Sequence, residues 1–159
     1  MPSTSTIKFL IDTNILIYAL DKRSPFHKVS SQIVKECIES IRSGIVAQQN
    51  IVECANVLFR QSGKERKEIL SDLQIISTNF NLQLIYPYET TLFTFLNLIK
   101  GLKQRRKEFF DVFLAATMLD NGITNIITVN DKDFADIKGI SVYNPFPIKR
   151  KNLTPSEIS

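Results

Sequence analysis

The sequence has few of the residues that build soft-metal or redox centres. His27 is the only histidine among 159 residues, and Cys37 and Cys54 form no CxxC pair. One histidine nearly excludes His-rich zinc or copper sites and argues against a Ser-His-Asp hydrolase. Two isolated cysteines suit a reducing compartment and form no disulfide framework.

Long apolar runs are also absent. The longest, such as Ile15–Leu20, are far shorter than the ~18 residues that a membrane span needs. Lys8 and Asp12 interrupt the first apolar segment, which argues against a signal peptide. With 43% hydrophobic and 23% charged residues, the composition is that of a folded globular protein. We therefore expect a soluble, single-domain, cytoplasmic protein, and its net charge of +4 weakly favours polyanionic partners.

Apolar runs and amphipathic segments alternate along the chain. Five runs are typical of β-strands: Ile7–Ile11, Ile45–Ala47, Leu82–Tyr86, Ile126–Val129 and Ile140–Tyr143. Helical patterns separate them at Asn14–Leu20, Lys28–Ser43, Ile51–Gln61, Lys64–Phe80, Glu89–Lys107 and Phe109–Asp120. Gly44 is expected to end the second of these helices. The alternation predicts an α/β layer fold with a mainly parallel sheet, whose ligands lie at the carboxyl ends of the strands.

Two acidic residues are expected at that edge of the sheet, each also open to a simpler interpretation. Asp12 directly follows the first predicted strand, where it could equally cap the next helix. Glu53 lies three residues after Asn50, which is the spacing of a capping box with Asn50 at the N-cap. A residue in the first turn of a helix after a strand still points toward the strand ends, so both interpretations are compatible with a site.

Two further acidic positions come later in the chain. Asp111 lies among large apolar residues in the first turn of the helix Phe109–Asp120. Burying a carboxylate there is costly unless something binds it, although the helix N-terminus also favours an acid. Asn130, Asp131 and Asp133 follow the fourth predicted strand, and an Asx-rich turn would account for them as well.

Taken together, Asp12, Glu53, Asp111 and Asp133 are predicted at strand ends or helix starts of one α/β scaffold. Carboxylates that crowd together repel one another unless a cation neutralises them. Oxygen ligands without histidine or cysteine select Mg²⁺ or Mn²⁺. Such an ion polarises a phosphoryl oxygen and activates water, so the residues point to phosphodiester hydrolysis.

Several blocks of the sequence resemble the PIN domain, and most closely the VapC-type toxins of prokaryotic toxin–antitoxin pairs. The blocks are Ile11-Asp12-Thr13-Asn14, Glu53 after the second strand, Asp111–Thr117, Thr128–Phe134 and the closing segment Gly139–Phe146. The resemblance spans residues 7–146, which we take as the domain, between a short extension (1–6) and a polar tail (147–159). It implies a three-layer fold with a five-stranded parallel sheet flanked by helices.

By this resemblance, Asp12, Glu53 and Asp111 match the three core metal-binding acids of the family, and Asp133 matches a further acid. Thr13, Asn14 and Thr128 match polar positions that orient the acids or the attacking water. Asn130 stands where other PIN domains often carry another Asp, so a second metal and the participation of Asp131 stay open.

The resemblance implies a Mg²⁺- or Mn²⁺-dependent endoribonuclease that acts as the toxin of a type II toxin–antitoxin pair. Its expected partners are RNA, a small antitoxin that presents an Arg to the acids, and a second copy of the chain. Apolar residues of the segments Lys64–Phe80 and Glu89–Leu102 are the candidate dimer contacts. The alternative is a catalytically inactive PIN-like module that binds RNA or protein.

A basic run precedes Asp111 in the sequence. Its members are Lys100, Lys103, Arg105, Arg106 and Lys107. Such a run could hold an RNA backbone beside the acids through counterion release. A solvated helix end, where positive charge suits the helix dipole, explains it equally well.

Overall fold

Strands and helices alternate through residues 7–102 and 108–146, which are the residues that this computed structural model describes. The strands are β1 (Lys8–Ile11), β2 (Ser43–Ala47), β3 (Leu82–Ile85), β4 (Asn125–Ile127) and β5 (Ser141–Tyr143). The helices are α1 (Thr13–Leu20), α2 (His27–Ile38), α3 (Gln48–Gln61), α4 (Arg66–Thr78), α5 (Thr91–Gly101), α6 (Phe109–Asp120) and the single turn α7 (Asp131–Phe134).

The five strands form one parallel sheet in the order β3-β2-β1-β4-β5. β1 lies at its centre, where Leu10 is in register with Ile45 of β2 on one side and Ile126 of β4 on the other. Because every strand runs the same way, the residues that follow β1, β2 and β4 all emerge at one edge. The predicted α/β fold with a five-stranded parallel sheet flanked by helices is confirmed.

Alternating side chains of the strands build two separate hydrophobic cores. Leu10 and Ile45 pack with residues of α6 and α7 on one face, whereas Ile11 and Val46 pack with residues of α1 to α4 on the other. The sheet is therefore covered on both faces, as parallel sheets are. No helix within residues 7–102 and 108–146 is long and apolar enough to cross a bilayer.

The end of α2 differs from the prediction. The helix stops at Ile38 rather than Ser43, and Ser40 adopts a left-handed φ of 60°. Gly44 belongs to β2, where a Cβ atom would lie 2.6 Å from the Cys37 sulfur. The glycine is thus required for close packing of α2 on the sheet rather than for ending the helix. The predicted helix was too long because its apolar periodicity continues as far as Ile41, which is exposed in the structure.

Other elements also differ from the prediction. α3 begins at Gln48 rather than Ile51, so Asn50 lies inside its first turn. α5 ends at Gly101 instead of continuing to Lys107, and residues 103–107 lie outside the described residues. Asp131–Phe134 forms a helical turn where an Asx-rich turn was the alternative. The predicted extension (1–6) and tail (147–159) also lie outside the described residues.

Candidate metal centre

Asp12 ends the central strand and begins α1, so it caps the helix and faces the edge of the sheet at the same time. Its carboxylate accepts hydrogen bonds from the backbone N of Thr13 (2.7 Å), Asn14 Nδ2 (2.7 Å) and Thr128 Oγ1 (2.6 Å). Only 5% of the residue is exposed. Burial raises the pKa of Asp12, the three hydrogen bonds oppose this shift, and nearby Glu53 adds to it. Asp12 therefore caps α1 as the capping interpretation expected, while its role as a site residue stays a prediction.

Glu53 lies on the second turn of α3 and is joined to α1 through Thr13. Thr13 Oγ1 donates to Glu53 Oε2 at 2.8 Å and accepts from Asn50 Nδ2 at 3.0 Å. Asn50 Oδ1 in turn accepts from the backbone N of Ala47 at 3.0 Å. Asn50, at the third helical position, therefore closes the start of α3, and the predicted capping role of Glu53 is wrong. Glu53 is left to face the site.

Thr128 and Asn14 tie the end of β4 to the end of β1. Asn14 Nδ2 donates to Thr128 Oγ1 at 3.1 Å as well as to Asp12, and the backbone N of Asn130 donates to the same Thr128 hydroxyl at 3.0 Å. Asn14 Oδ1 accepts from the backbone N of Val129 at 3.4 Å. Asn130 therefore joins this network through its backbone, while its side chain is exposed and makes no capping hydrogen bond to α7.

Asp111 approaches the site from the opposite face, on the first turn of α6. The residue is half-buried, and burial followed by the charges of Asp12, Asp133 and Glu53 raises the pKa of Asp111 to about 7. Burial alone raises a carboxyl pKa, and the added repulsion by the other acids indicates that they lie near Asp111. The structure thus brings all four predicted acids, from β1, α3, α6 and α7, to one edge of the sheet.

The chemistry of this edge fits a hard cation. His27 bonds instead to the carbonyl oxygen of Tyr18 (3.1 Å), and burial raises the thiol pKa of Cys37 to about 11 and of Cys54 to about 12. The ligands left are carboxylate oxygens, which prefer Mg²⁺ or Mn²⁺. In the part of the chain that the structure describes, however, no three acidic, His or Cys side chains already surround a point at ligating distances.

Comparison with known families agrees with this architecture. The family model described as "PIN domain" matches residues 9–140. The chain belongs to the PIN domain family. No curated protein matches its sequence.

Solved structures share the PIN domain fold at low sequence identity. A chain of VapBC2 from Rickettsia felis, bound to a DNA fragment from its promoter, has a TM-score of 0.67 at 18% identity, over 87% of this chain and 98% of that one. VapC20 from Mycobacterium tuberculosis, a sarcin–ricin loop cleaving toxin, has a TM-score of 0.63 at 12% identity, over 80% of this chain and 93% of that one. A chain of a toxin–antitoxin complex from Klebsiella pneumoniae has a TM-score of 0.62 at 20% identity, over 88% of this chain and 99% of that one.

Gln49 is a residue of this PIN domain site that the sequence interpretation missed. Its Nε2 donates to Glu53 Oε1 at 2.7 Å and to the carbonyl oxygen of Phe110 at 2.9 Å. It therefore connects α3 to the first turn of α6 across the edge of the sheet. The available signal was its position four residues before Glu53, a spacing at which side chains on a helix meet.

The basic run is only partly described. Lys100 is exposed near the end of α5, whereas Lys103, Arg105, Arg106 and Lys107 lie outside the described residues. Asp131 begins α7 and is partly exposed. The interpretation of the basic run as an RNA-binding surface stays a prediction.

Proposed function

We propose that this PIN domain is a metal-dependent endoribonuclease and the toxin of a type II toxin–antitoxin pair. The observation that carries the proposal is the convergence of acids at one edge of the sheet. Hydrogen bonds from Thr13 and Thr128 hold Glu53 and Asp12 there, and Asp111 approaches them from α6, close enough for their charges to repel its own. Natural proteins tolerate such repulsion where it serves a function, commonly the binding of a cation.

In this proposal, Asp12, Glu53, Asp111 and Asp133 hold a Mg²⁺ or Mn²⁺ ion. When bound, such an ion polarises a phosphoryl oxygen and lowers the pKa of water, so that water can attack a phosphodiester. Thr13 and Thr128 fix the orientation of the acids through their hydroxyl groups, and Asn14 holds the Asp12 carboxylate through its amide. Such second-layer hydrogen bonds commonly keep metal ligands in place.

Two kinds of support bear on the substrate and the biological role. The structural neighbours include a sarcin–ricin loop cleaving toxin and a toxin–antitoxin complex, both with the same fold. The net charge of +4 and the basic run before Asp111 suit a polyanion such as RNA. Charge reversal at Arg105 and Arg106 should weaken RNA binding and flatten its dependence on salt.

The proposed partners are a small antitoxin and a second copy of the chain. An Arg from the antitoxin would suit the four acids, because its planar guanidinium pairs with carboxylates bidentately and keeps its charge. For the dimer, α5 offers Leu92, Phe93 and Leu96, which are large apolar residues exposed to solvent. Phe93→Glu should convert a dimer to a monomer, which solution mass measurement would detect.

The activity is tested by incubating the purified protein with mapped RNA in Mg²⁺, in Mn²⁺ and in EDTA. We expect cleavage with either cation, none with EDTA, and strongly reduced cleavage with Asp111→Asn. Cleavage that continues in EDTA, or at the wild-type rate in the folded Asp111→Asn variant, would contradict the assignment of these acids as metal ligands.

One observation favours the alternative, an inactive module that binds RNA or protein. Both carboxylate oxygens of Glu53 already accept hydrogen bonds, from Thr13 and Gln49. Calorimetric titration with Mn²⁺ separates the two functions. Binding that depends on Asp111 supports the nuclease, whereas RNA binding without any metal binding would support the module.

A further inference from the structure

A pocket of about 310 Å³ opens beside the acids, on the side of α3 and α6. Its walls include Gln49, Val52, Glu53, Pro87, Phe110 and Phe113. Glu53 belongs both to this pocket and to the acidic site, so a ligand that reaches the acids also reaches the pocket. The other walls are mostly apolar, unlike the neighbouring acidic edge.

Two phenylalanine rings of the pocket differ in how they are held. Phe113 packs edge-on against Phe95, with ring centroids 5.7 Å apart. Phe110 directly precedes Asp111, is 70% exposed, and has no aromatic partner among the described residues. Its backbone is nevertheless fixed, because Gln49 Nε2 donates to its carbonyl oxygen. An apolar ring held in solvent beside a charged site is a typical stacking platform.

Gln49 adds an unused polar group to the same wall. Its Nε2 is held by two acceptors, which fixes the orientation of the amide. Its Oε1 is buried and has no hydrogen-bond partner among the residues described. A buried acceptor without a donor is costly. Because water does not reach this oxygen, an N–H group of a bound ligand would satisfy it only after the side chains that cover it move.

We propose that this pocket receives a nucleobase of the RNA strand whose phosphate lies at the acids, with the base stacked on Phe110. The inference rests on the proposed nuclease function and extends it to a base-binding subsite. Glu53 and Phe110 line the same pocket, so an RNA strand held at Glu53 would have its adjacent base within reach of Phe110. Aromatic stacking accepts any base, because every base has a π-face.

The geometry favours a base over the apolar side chain of a protein partner. Bases combine a flat apolar face with N–H donors, which suits the exposed ring of Phe110 beside the amide group of Gln49. An apolar side chain would fill the pocket but leave Gln49 Oε1 without a donor. A protein occupant is therefore an outcome of the test rather than part of the proposal.

The test uses the full-length protein and a synthetic RNA built around a mapped cleavage site. Phe110→Ala should raise KM roughly 5- to 150-fold, the loss expected for one stacked base, with a much smaller change in kcat. Phe110→Trp should restore KM. Phe109→Ala is the matched control, since Phe109 is 58% exposed in the same turn but packs on Phe95 instead of lining the pocket.

A second comparison uses RNA that lacks one base beside the cleaved bond. For the wild-type protein, the KM for this RNA should rise by the same factor as the Phe110→Ala substitution causes. For Phe110→Ala, the missing base should raise KM little further. Equal effects of Phe109→Ala and Phe110→Ala, or an undiminished penalty of the abasic RNA in Phe110→Ala, would overturn the proposal. So would a Phe110→Ala variant that loses only binding to a protein partner.

Failure of the proposed function is separately visible. An RNA that carries the fluorescent base 2-aminopurine beside the cleaved bond reports stacking. Its fluorescence should be quenched on binding to the wild type and to Phe109→Ala, but not to Phe110→Ala. If this pattern holds while no cation supports cleavage, the base subsite stands and the nuclease assignment falls. If cleavage occurs without this pattern of quenching, the nuclease assignment stands and the base subsite falls.

Discussion

Asp12 and Asp111 are both withdrawn from water at the same edge of the sheet, yet the protein holds them in opposite ways. Asp12 accepts three hydrogen bonds, which offset part of the cost of its burial. No hydrogen bond from a described residue offsets the burial of Asp111, whose pKa is raised by burial and by four neighbouring acids. Hydrogen bonds therefore stabilise the carboxylate on the α1 side of the site. The carboxylate on the α6 side lacks them, and a bound cation would stabilise it.

The largest effect should come from removing the charge of Asp111. Asp111→Asn should lower metal-dependent RNA cleavage by about 10²-fold or more, since metal stabilisation is worth several kcal/mol. It should leave the fold intact, because no described residue relies on this carboxylate for a hydrogen bond. Cleavage rates and a thermal melt of the same preparation check both parts. Full cleavage activity in the variant would show that Asp111 does not need to bind a cation, which would contradict the proposed contrast with Asp12.

Removing a donor to Asp12 should instead cost stability. Thr128→Val should destabilise the protein by about 1–3 kcal/mol, because it leaves a buried carboxylate without one of its partners. Thr128→Ser, which keeps the hydroxyl group, is the matched control. Urea unfolding would compare the two. A Thr128→Val variant as stable as Thr128→Ser would mean that hydrogen bonding does not distinguish Asp12 from Asp111.

The pH dependence of stability should report the cost of the Asp111 charge. Because the pKa of Asp111 is about 7 in the folded protein and its ordinary value is 3.8, the folded state binds the proton more tightly. The stability linked to this group is therefore complete below about pH 4 and is lost as the pH rises to about 7. Unfolding in urea across this range should show a smaller loss in Asp111→Asn than in the wild type, because the raised pKa of Asp12 remains in the variant. Added Mg²⁺ should reduce the loss, and an identical profile in both proteins would contradict the shift.

The smallest effect concerns the connection between the two sides. Gln49→Ala removes hydrogen bonds to Glu53 and to the carbonyl oxygen of Phe110, so it should cost about 0.5–1.5 kcal/mol. It should also weaken Mn²⁺ binding in a calorimetric titration. Gln74→Ala, on the exposed surface of α4, is the control for a helical Gln. If both variants behave alike, the two sides are held together by the sheet alone.

The places of the acids relative to the strands and helices could be predicted from the sequence, because these places depend on short-range patterns. Asp12 follows an apolar run, and Asp111 lies in the first turn of a strongly apolar helix. Strict periodicity failed at Ile41 and Gly44, since a tight approach of Cys37 to the sheet decides that region and no local pattern reports it.

The contacts within the site were less predictable than its members. Glu53 was identified partly through a capping box, yet Asn50 makes that cap in the structure. Gln49 was missed because its partner Phe110 lies 61 residues away in the sequence. Pairings of this kind depend on how two helices meet over the sheet, and a single sequence gives no direct signal for them.

The placement of β4 beside β1 has a consequence for synthesis. Asp12 depends on a hydroxyl group 116 residues further along the chain, and the central strand gains its second neighbour only when β4 arrives. Because chains emerge from the ribosome N-terminus first, a nascent chain that ends before β4 carries Asp12, Glu53 and Asp111 but cannot assemble their edge of the sheet. The strand order thus delays completion of the site until translation of the domain is nearly finished.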